Sequence, residues 1–262
     1  MNILLISGHG AGDSGAVSKF GTEATLTIEM VNMIKEKLNK YATVSLYPID
    51  RNAYSDCKNG KLQVDFANYS YVLEVHFNAC VNDTTGDGKT TGTEIYVTNA
   101  EKTVGVETKI ISNLATLGLK NRGVKRTNFT VIARAKAAGA SSALLEVCFI
   151  DDKDDMDVYN DKKDSIAASV VNAIVSHFKL SASSLQAATI QVDKTIKVGN
   201  VVTINSGATY GGLSSTRGKT VPTSQMAGKK HTVDKIQTNK GISEAKLKEI
   251  NSWVAVSSIT LV

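Results

Sequence analysis

The chain opens with Met1-Asn2-Ile3-Leu4-Leu5-Ile6-Ser7-Gly8-His9-Gly10, the stretch that decides the fold. Residues 3–6 form an unbroken apolar run, which is typical of a strand buried on both faces of a sheet. Polar and glycine residues follow at once, so this strand carries His9 to the carboxyl edge of the sheet. The opening therefore predicts a buried strand that ends at a candidate site.

Strand and helix patterns alternate beyond this first strand. Residues 24–40 repeat apolar side chains at helical spacing, with Glu23 just before them, and they predict an amphipathic helix. The other predicted elements are strands at 44–47, 71–77, 92–98 and 143–150, and helical segments at 62–69, 102–117 and 164–178. This alternation predicts an α/β fold with a largely parallel sheet.

The end of the chain differs from the rest in its charge. Residues 195–262 hold 9 Lys/Arg against 3 Asp/Glu, a net charge of +6, whereas the preceding residues have a net charge of −1. A nearly neutral body with a basic end predicts that the end contacts an anionic polymer.

The end of the chain also differs in its pattern. Strands are predicted at 201–204, 229–236 and 245–256, between Gly-rich turns, although residues 243–250 fit a short helix equally well. Residues 181–194 are rich in Ser and Ala and predict a linker. The sequence thus predicts two domains, residues 1–180 and 195–262, and the second has the size of a small all-β barrel of the SH3-like type.

Several classes of protein are excluded by what the sequence lacks. Its start has neither the basic residues nor the long apolar core of a signal peptide, and no stretch approaches the ~20 apolar residues of a spanning helix. We therefore expect synthesis in a cytoplasm and no membrane insertion. Cys57, Cys80 and Cys148 are odd in number and form no CxxC pair, which predicts reduced thiols rather than disulfides or a zinc ribbon.

Four residues form the candidate site. His9 and His76 both lie at the ends of predicted strands, where side chains of a parallel sheet meet in one crevice. With Glu23 they supply the His/His/carboxylate set that holds catalytic zinc and leaves one position for water. Glu146 lies inside an apolar strand, where a carboxylate is unfavourable unless it is paired or functional, and it suits a general base.

Simpler interpretations exist for each of these residues and for others. Taken singly, the two histidines are more often turn or core residues, and Glu23 is equally an acid that favours the start of its helix. We interpret His177 as a helix-terminal cation and His231 as a surface residue. Tyr210 and Trp253 suit core packing as well as ligand stacking, and the acidic residues 151–155 predict a solvated helix start without a metal.

Taken in order, five motifs resemble those of the type-3 class of zinc N-acetylmuramoyl-L-alanine amidases. The resemblance spans nearly all of residues 1–180, and order and spacing together make it specific. The motifs are Gly8-His9-Gly10 with Asp13 and Gly15, Glu23 at a helix start, Glu74-Val75-His76-Phe77-Asn78-Ala79, Gly92-Thr93-Glu94 with Tyr96, and Leu144-Leu145-Glu146-Val147-Cys148-Phe149-Ile150.

The resemblance implies a mixed or parallel sheet flanked by helices, and it implies a reaction. Zinc would be bound by His9, Glu23 and His76, with Glu146 as the catalytic carboxylate. The substrate would be peptidoglycan, cut between the lactyl group of N-acetylmuramic acid and L-alanine. Three residues depart from the family pattern, namely Ser142, Cys148 and Asp152. Cys80 and Cys148 also leave an alternative metal set open, although a free cysteine is more often a small buried hydrophobic residue.

The end of the chain is similar to the SH3-type wall-binding modules attached to phage endolysins. The matching stretches are Val201-Val202-Thr203-Ile204, Tyr210-Gly211-Gly212, Gly228-Lys229-Lys230-His231-Thr232-Val233 and Ile250-Asn251-Ser252-Trp253-Val254. This resemblance implies a phage lysin that is made in the cytoplasm of a bacterial host, is released by a holin, and acts on the cell wall.

Two other functions remain open from the sequence. A zinc peptidase would use the same metal set on an ordinary peptide amide. A non-catalytic protein would attach its basic end to the wall or to nucleic acid, but the sequence lacks a basic stripe interleaved with aromatic residues, and Glu146 would have no role. We therefore expect peptidoglycan as the partner, with an anionic wall polymer for the second domain, and no nucleic acid.

Overall fold

The structure, a computed structural model, describes residues 1–182, 196–205, 207–226, 228–239 and 242–262. It divides into two compact units, Met1–Ala188 and Thr189–Val262, each with its own hydrophobic core. Most of the predicted linker, residues 183–194, lies outside the described residues.

The first unit alternates strands and helices along the chain. In order, its elements are β1 (Asn2–Ser7), β2 (Val17–Ser18), β3 (Gly21–Thr22), α1 (Glu23–Leu38), β4 (Thr43–Leu46), α2 (Ala53–Asn59), β5 (Tyr71–Asn78), β6 (Thr93–Val97), α3 (Gly105–Ala115), β7 (Asn121–Arg126), α4 (Thr130–Ala137), β8 (Ser141–Phe149) and α5 (Lys153–His177).

Six of these strands form one mixed sheet in the order β4-β1-β5-β8-β6-β7. The pairs β1–β4, β1–β5 and β5–β8 are parallel, whereas β6 runs antiparallel to β8 and parallel to β7. The predicted α/β fold with a largely parallel sheet between helices is therefore confirmed. The parallel order places the carboxyl ends of β1, β5 and β8 at one edge of the sheet.

The apolar run of β1 is buried on both faces of this sheet. Ile3 and Leu5 pack in the core that α1, α3 and α5 cover, and Leu4 and Ile6 pack in the core under α2 and α4. All four side chains are fully buried, and burial of each such side chain stabilises the fold by about 1.5–3 kcal/mol. An unbroken apolar run is what a strand with helices on both sides requires.

The region between β4 and β5 differs from the prediction. The helical segment predicted at 62–69 is wrong, since only a 3-10 turn at Phe66–Asn68 forms there. The helix lies earlier, at α2, where the Asn52 side chain accepts a hydrogen bond from the backbone N–H of Ser55 at 2.9 Å. This cap, and Gly60 in the left-handed conformation at the other end, fix the position of a helix with few apolar residues.

The last helix of the unit also differs from the prediction. It begins at Lys153 rather than at residue 164, because the Asp152 side chain caps it through the backbone N–H of Asp155 at 3.1 Å. Its first turns are polar and bury Met156 and Tyr159, so the apolar period is weak there. The strand β7 and the helix α4 were not predicted.

The acidic cluster at the start of α5 is largely buried rather than solvated, contrary to the prediction, since only Asp154 of its four acids is partly exposed. Asp151 accepts hydrogen bonds from three consecutive backbone N–H groups, those of residues 80–82, each at 2.9 Å. Asp155 is fully buried and accepts from the backbone N–H groups of Gly92 and Phe149, while its burial raises its pKa to about 6. These carboxylates hold the loops that precede β6 and follow β5.

Glu107 of α3 is a buried glutamate remote from the candidate site. Its carboxylate accepts a hydrogen bond from the Tyr71 hydroxyl at 3.1 Å, and its other oxygen has no hydrogen-bond partner among the described residues. Burial raises the pKa of Glu107 to about 7, well above the ~4.3 of an unfolded chain. Ionisation of Glu107 therefore weakens the fold as the pH rises from about 4 through 7.

We expect Glu107→Gln to stabilise the protein at pH 8 and to have little effect at pH 4.5. The neutral amide keeps the acceptor for Tyr71 and removes the buried charge, so the gain in the free energy of unfolding is about 1–3 kcal/mol. Thermal unfolding of both proteins across this pH range measures the difference. Glu36→Gln, at an exposed position of α1, is the control, and a gain for Glu107→Gln that is independent of pH would contradict the expectation.

The second unit is built around an antiparallel sheet. Its elements are β9 (Val201–Ile204), α6 (Thr223–Met226), β10 (His231–Asn239), β11 (Ile242–Leu247), β12 (Ser252–Ala255) and β13 (Ile259–Leu261). The five strands pair in the order β12-β11-β10-β9-β13, and every pair is antiparallel. The core includes Val202, Val233, Leu247 and Val254.

Three predictions for this unit need correction. The strand predicted at 245–256 is two strands separated by a turn, and the alternative helix at 243–250 is replaced by β11 and that turn. His231 is buried rather than at the surface, because it lies on the core face of β10, and its Nε2 lies 2.7 Å from the carbonyl oxygen of Gln225. Neither α6 nor β13 was predicted.

None of the helices in the described parts of the chain combines the length and the apolar character that crossing a lipid bilayer requires.

Candidate metal centre

Three predicted site residues meet at the carboxyl edge of the sheet. His9 follows β1, His76 lies near the end of β5, and these strands are parallel neighbours, with Ser7 beside Val75. Glu23 is the first residue of α1, which begins after the short β2–β3 hairpin. The backbone of His9 has φ 64°, a conformation that is uncommon for a residue other than glycine and that turns the chain sharply after β1.

The Glu23 carboxylate lies between the two imidazoles. Its Oε2 is 3.0 Å from His9 Nε2, and its Oε1 is 2.9 Å from His76 Nδ1. The two rings are 5.0 Å apart at an angle of 78°. One ligand atom of each residue lies within 4.8 Å of the others, a separation that suits coordination of one metal ion.

Backbone groups fix the position and charge of Glu23. The N–H groups of Ala16 and Phe77 each donate to its carboxylate at 3.0 Å. Although burial opposes ionisation, the hydrogen bonds from His76 and His9 hold the pKa of Glu23 far below its usual range. These donors therefore favour the ionised form of the carboxylate at the centre of the site.

Each imidazole also has a second carboxylate at its other nitrogen. His9 Nδ1 is 2.9 Å from Asp13 Oδ2, and Asp13 in turn accepts from the Asn52 amide at 3.1 Å. His76 Nε2 is 3.3 Å from Glu74 Oε1. The sequence did not assign a role to Asp13, Asn52 or Glu74, although Glu74 carries the same signal as Glu146, a carboxylate within an apolar strand.

The carboxylates at both nitrogens of each ring raise the pKa of both histidines. The hydrogen bond to Glu23 raises the pKa of His9, and burial of the ring opposes this. Burial also opposes protonation of His76, but the hydrogen bonds to Glu23 and Glu74 raise its pKa well above the usual value. An imidazole between two acceptors needs either two protons, or one proton and a cation, so the residues present fit a divalent ion.

Two glycines of the first motif leave room for this arrangement. A Cβ atom on Gly8 would lie 2.3 Å from His76 Cε1, and one on Gly15 would lie 2.5 Å from His9 Cδ2 and 2.7 Å from Glu23 Oε2. Such distances are impossible for real side chains. The glycines that the sequence motif contains are therefore required by the packing of the three candidate ligands.

Glu146 lies beside this centre on β8. It pairs in register with His76 of β5, and its Oε2 is buried without a hydrogen-bond partner among the described residues. Burial raises the pKa of Glu146 to about 7, His76 opposes this shift, and the charges of Glu23 and Glu94 add to it. A carboxyl group without a partner and with a pKa near neutrality suits proton transfer.

Glu94 lies opposite Glu146 on the other neighbouring strand. It receives hydrogen bonds from Arg122 at 2.6 Å, Lys125 at 2.5 Å and Tyr96 at 2.7 Å. Although burial opposes this, these donors hold the pKa of Glu94 below its usual range. The contrast with Glu146 shows that, of these two opposed carboxylates, only Glu94 is fully paired.

His9, His76 and Glu146 line one cleft of about 500 Å³. Tyr54 of α2 and Phe129, which precedes α4, line the same cleft, and both rings are exposed. A second, more polar cavity of about 570 Å³ shares Asp13 and Tyr54 with it but contains none of the three candidate ligands. This cleft is therefore the candidate substrate site.

Other candidate residues lie apart from this centre. Cys148 is buried in the core, Cys80 is exposed, and neither joins a group of metal-ligating atoms among the described residues. His177 ends α5 and contacts Phe178 at 4.8 Å between ring centroids. Asp83, Asp87 and Asp154 form a second acidic group, but Asp154 already accepts two backbone N–H groups of the adjacent loop at 2.9 Å.

Comparison with known proteins gives a family match for most of the first unit. Residues 3–176 match the protein family described as N-acetylmuramoyl-L-alanine amidase. Among curated proteins, N-acetylmuramoyl-L-alanine amidase LytC of Bacillus subtilis (strain 168) is 24% identical over 181 residues. The match covers 68% of this chain and 35% of LytC, so the chain spans about a third of that relative's length.

Solved structures with the same fold include three amidase or endolysin domains. An N-acetylmuramoyl-L-alanine amidase from Clostridium difficile 630 has a TM-score of 0.57 at 21% identity, and the match covers 68% of this chain and 96% of that one. The catalytic domain of CwlV from Bacillus (Paenibacillus) polymyxa var. colistinus has a TM-score of 0.55 at 22% identity, with 69% and 100% covered. The catalytic domain of the CD27L endolysin has a TM-score of 0.53 at 21% identity, with 67% and 97% covered.

Proposed function

The chain belongs to the N-acetylmuramoyl-L-alanine amidase family, and from this premise we propose that residues 1–180 are a zinc-dependent amidase that acts on peptidoglycan. The bond cut is the amide between N-acetylmuramic acid and the L-alanine of the stem peptide. The observation that carries this proposal is the placement of Glu23 between His9 and His76, with the unpaired Glu146 facing the same cleft.

The side chains of the candidate metal centre and Glu146 have separate roles in the proposed reaction. His9, Glu23 and His76 would hold the zinc ion, which supplies Lewis acidity to the scissile carbonyl and lowers the pKa of water. Glu146 takes the proton of the attacking water and delivers it to the departing nitrogen of L-alanine as the C–N bond breaks. The products are a muramic acid carboxylate and a peptide with a free amino group.

Digestion of purified peptidoglycan tests this proposal. We expect free L-alanine amino groups to appear and stem peptides to be released with the glycan strands intact, and we expect a zinc chelator to stop both. Mass spectrometry of the products identifies the broken bond. Cleavage of an amide within the peptide would favour the zinc peptidase instead, and no cleavage in the presence of zinc would favour a binding protein.

We further propose that the second unit is an SH3-like domain that binds an anionic wall polymer. Support comes from the net charge of +6 over residues 195–262 and from the exposed cations on the antiparallel unit, among them Arg217, Lys219, Lys229, Lys230, Lys235 and Lys248. Sedimentation of the full chain with cell walls measures this binding. It should weaken with rising salt and with removal of the anionic polymer from the walls, and binding that resists both would contradict the proposal.

The biological setting that we propose is that of a phage endolysin, made in the cytoplasm of a bacterial host and active on the wall after release. Support comes from the resemblance of the second unit to endolysin modules. Expression inside a susceptible bacterium should cause lysis only when the membrane is opened by a second agent. Lysis without such opening would contradict this setting.

A further inference from the structure

Glu74 is a buried carboxylate in the middle of β5 that the proposed reaction does not use. It is 4% exposed, and its neighbours in register are the apolar residues Ile6 of β1 and Leu144 of β8. Burial of a charged group costs several kcal/mol unless it is paired. Among the described residues, its one hydrogen-bond or ion-pair contact is His76 Nε2 at 3.3 Å.

The position of Glu74 follows from strand geometry. Residues two apart in a strand point to the same face, so Glu74 and His76 lie side by side on the face that lines the cleft. The Glu74 carboxylate can only accept, and the His76 nitrogen facing it must therefore carry a proton. Glu74 thus selects the form of His76 in which Nε2 is the donor.

When a cation rather than a second proton lies between His76 and Glu23, the ring is neutral and this selection leaves the other nitrogen of His76 as an acceptor. Nδ1 then presents its lone pair to Glu23 Oε1, an ionised oxygen only 2.9 Å away. Two acceptors at this distance repel each other unless a proton or a cation lies between them. A neutral His76 with its proton on Nε2 is therefore ready to bind a metal ion through Nδ1, together with Glu23.

We propose that Glu74 is a positioning residue that fixes the tautomer and the ring orientation of His76 for zinc. This inference rests on the proposed function, because it takes His76 as a zinc ligand. Asp13 has the corresponding contact with His9, but the Asp13 side chain is 51% exposed, whereas that of Glu74 is 6% exposed. Water can replace the carboxylate at His9 far more readily than at His76.

The test compares zinc affinity in variants of the full chain. Loss of a carboxylate behind a metal-binding histidine typically weakens metal binding about 10–100-fold. We expect Glu74→Ala to weaken zinc binding within this range, measured by competition with a chelating dye. Glu74→Gln retains an oxygen acceptor for His76 Nε2–H and should stay within about threefold of the wild type. Activity of Glu74→Ala should return when zinc is in excess.

Glu107→Gln is the matched control, since Glu107 is also a buried glutamate with a single hydrogen-bonded partner but lies away from the cleft. It should bind zinc as the wild type does. Unchanged zinc affinity of a folded Glu74→Ala protein would overturn the proposal, and so would equal losses in Glu74→Ala and Glu74→Gln. Failure of the wild type to bind zinc would instead overturn the proposed function.

A spectroscopic measurement covers the case in which Glu74→Ala does not fold. In zinc-loaded wild-type protein with ¹⁵N-labelled histidine, we expect the ring of His76 to carry its proton on Nε2 and to bind the metal through Nδ1. Glu74→Gln should show the same pattern with a shifted Nε2–H resonance. A spectrum with zinc on Nε2 of His76 would overturn the proposal even if every variant were active.

Discussion

Glu146→Gln is expected to lower the rate of amide cleavage by more than about 10³-fold while zinc binding stays unchanged. The change keeps the shape of the side chain and removes the cleft carboxylate whose Oε2 is buried without a hydrogen-bond partner among the described residues and whose raised pKa suits proton transfer. Without it, neither the attacking water nor the departing amine nitrogen has a proton carrier. Release of L-alanine amino groups from purified peptidoglycan measures the loss.

Glu94→Gln provides a contrast for this variant. Glu94 lies opposite Glu146 but is fully paired with Arg122, Lys125 and Tyr96, so it has no free oxygen for proton transfer. We expect Glu94→Gln to retain far more activity than Glu146→Gln. A Glu146→Gln protein that binds zinc and cleaves peptidoglycan within tenfold of the wild-type rate would remove Glu146 from the mechanism.

Glu23→Ala is expected to abolish both zinc binding and activity. Glu23 accepts a hydrogen bond from each of the other two candidate ligands, at 3.0 Å and 2.9 Å, and its carboxylate holds both imidazoles in place. Its removal should weaken zinc binding by more than the ~10–100-fold effect of an outer carboxylate and lower activity by more than about 10³-fold. Metal analysis and the peptidoglycan assay measure the two losses.

Glu36→Ala, an exposed position on the same helix, is the control for Glu23→Ala. It should match the wild type in zinc content and activity. If a folded Glu23→Ala protein still held one zinc ion per chain, the metal would lie elsewhere, and the assignment of His9 and His76 as its ligands would fail with it.

The catalytic fold was predictable because its signals are local. The apolar run of residues 3–6, the helical period that begins at residue 24 and the strand of residues 71–77 each show which of their faces are apolar, because side chains two to four residues apart share a face of a strand or a helix. Gly8 and Gly15 were recognisable only as parts of the family motif, and the structure supplies the reason, since no side chain fits at either position.

Other elements left no such local record. The edge strand β7, with the sequence Asn-Arg-Gly-Val-Lys-Arg, has no fully buried residue and shows no apolar alternation, as is common at sheet edges. The first turns of α5 are specified by the Asp152 cap and by tertiary contacts rather than by an apolar period. The Lys-rich surroundings of His231 in the sequence indicate a surface position and do not reveal that β10 points this side chain into the core.

By itself, then, the sequence determined the α/β class of the first unit, the strand ends that carry His9 and His76, and the charge difference between the two parts of the chain. Only the tertiary structure decided which carboxylate faces which imidazole nitrogen: Glu23 and His76 are 53 residues apart and meet because the start of α1 lies beside the end of β5, where the Phe77 N–H also donates to Glu23. The placement of Glu146 beside His76 likewise depends on strand register, which no local pattern of side chains encodes.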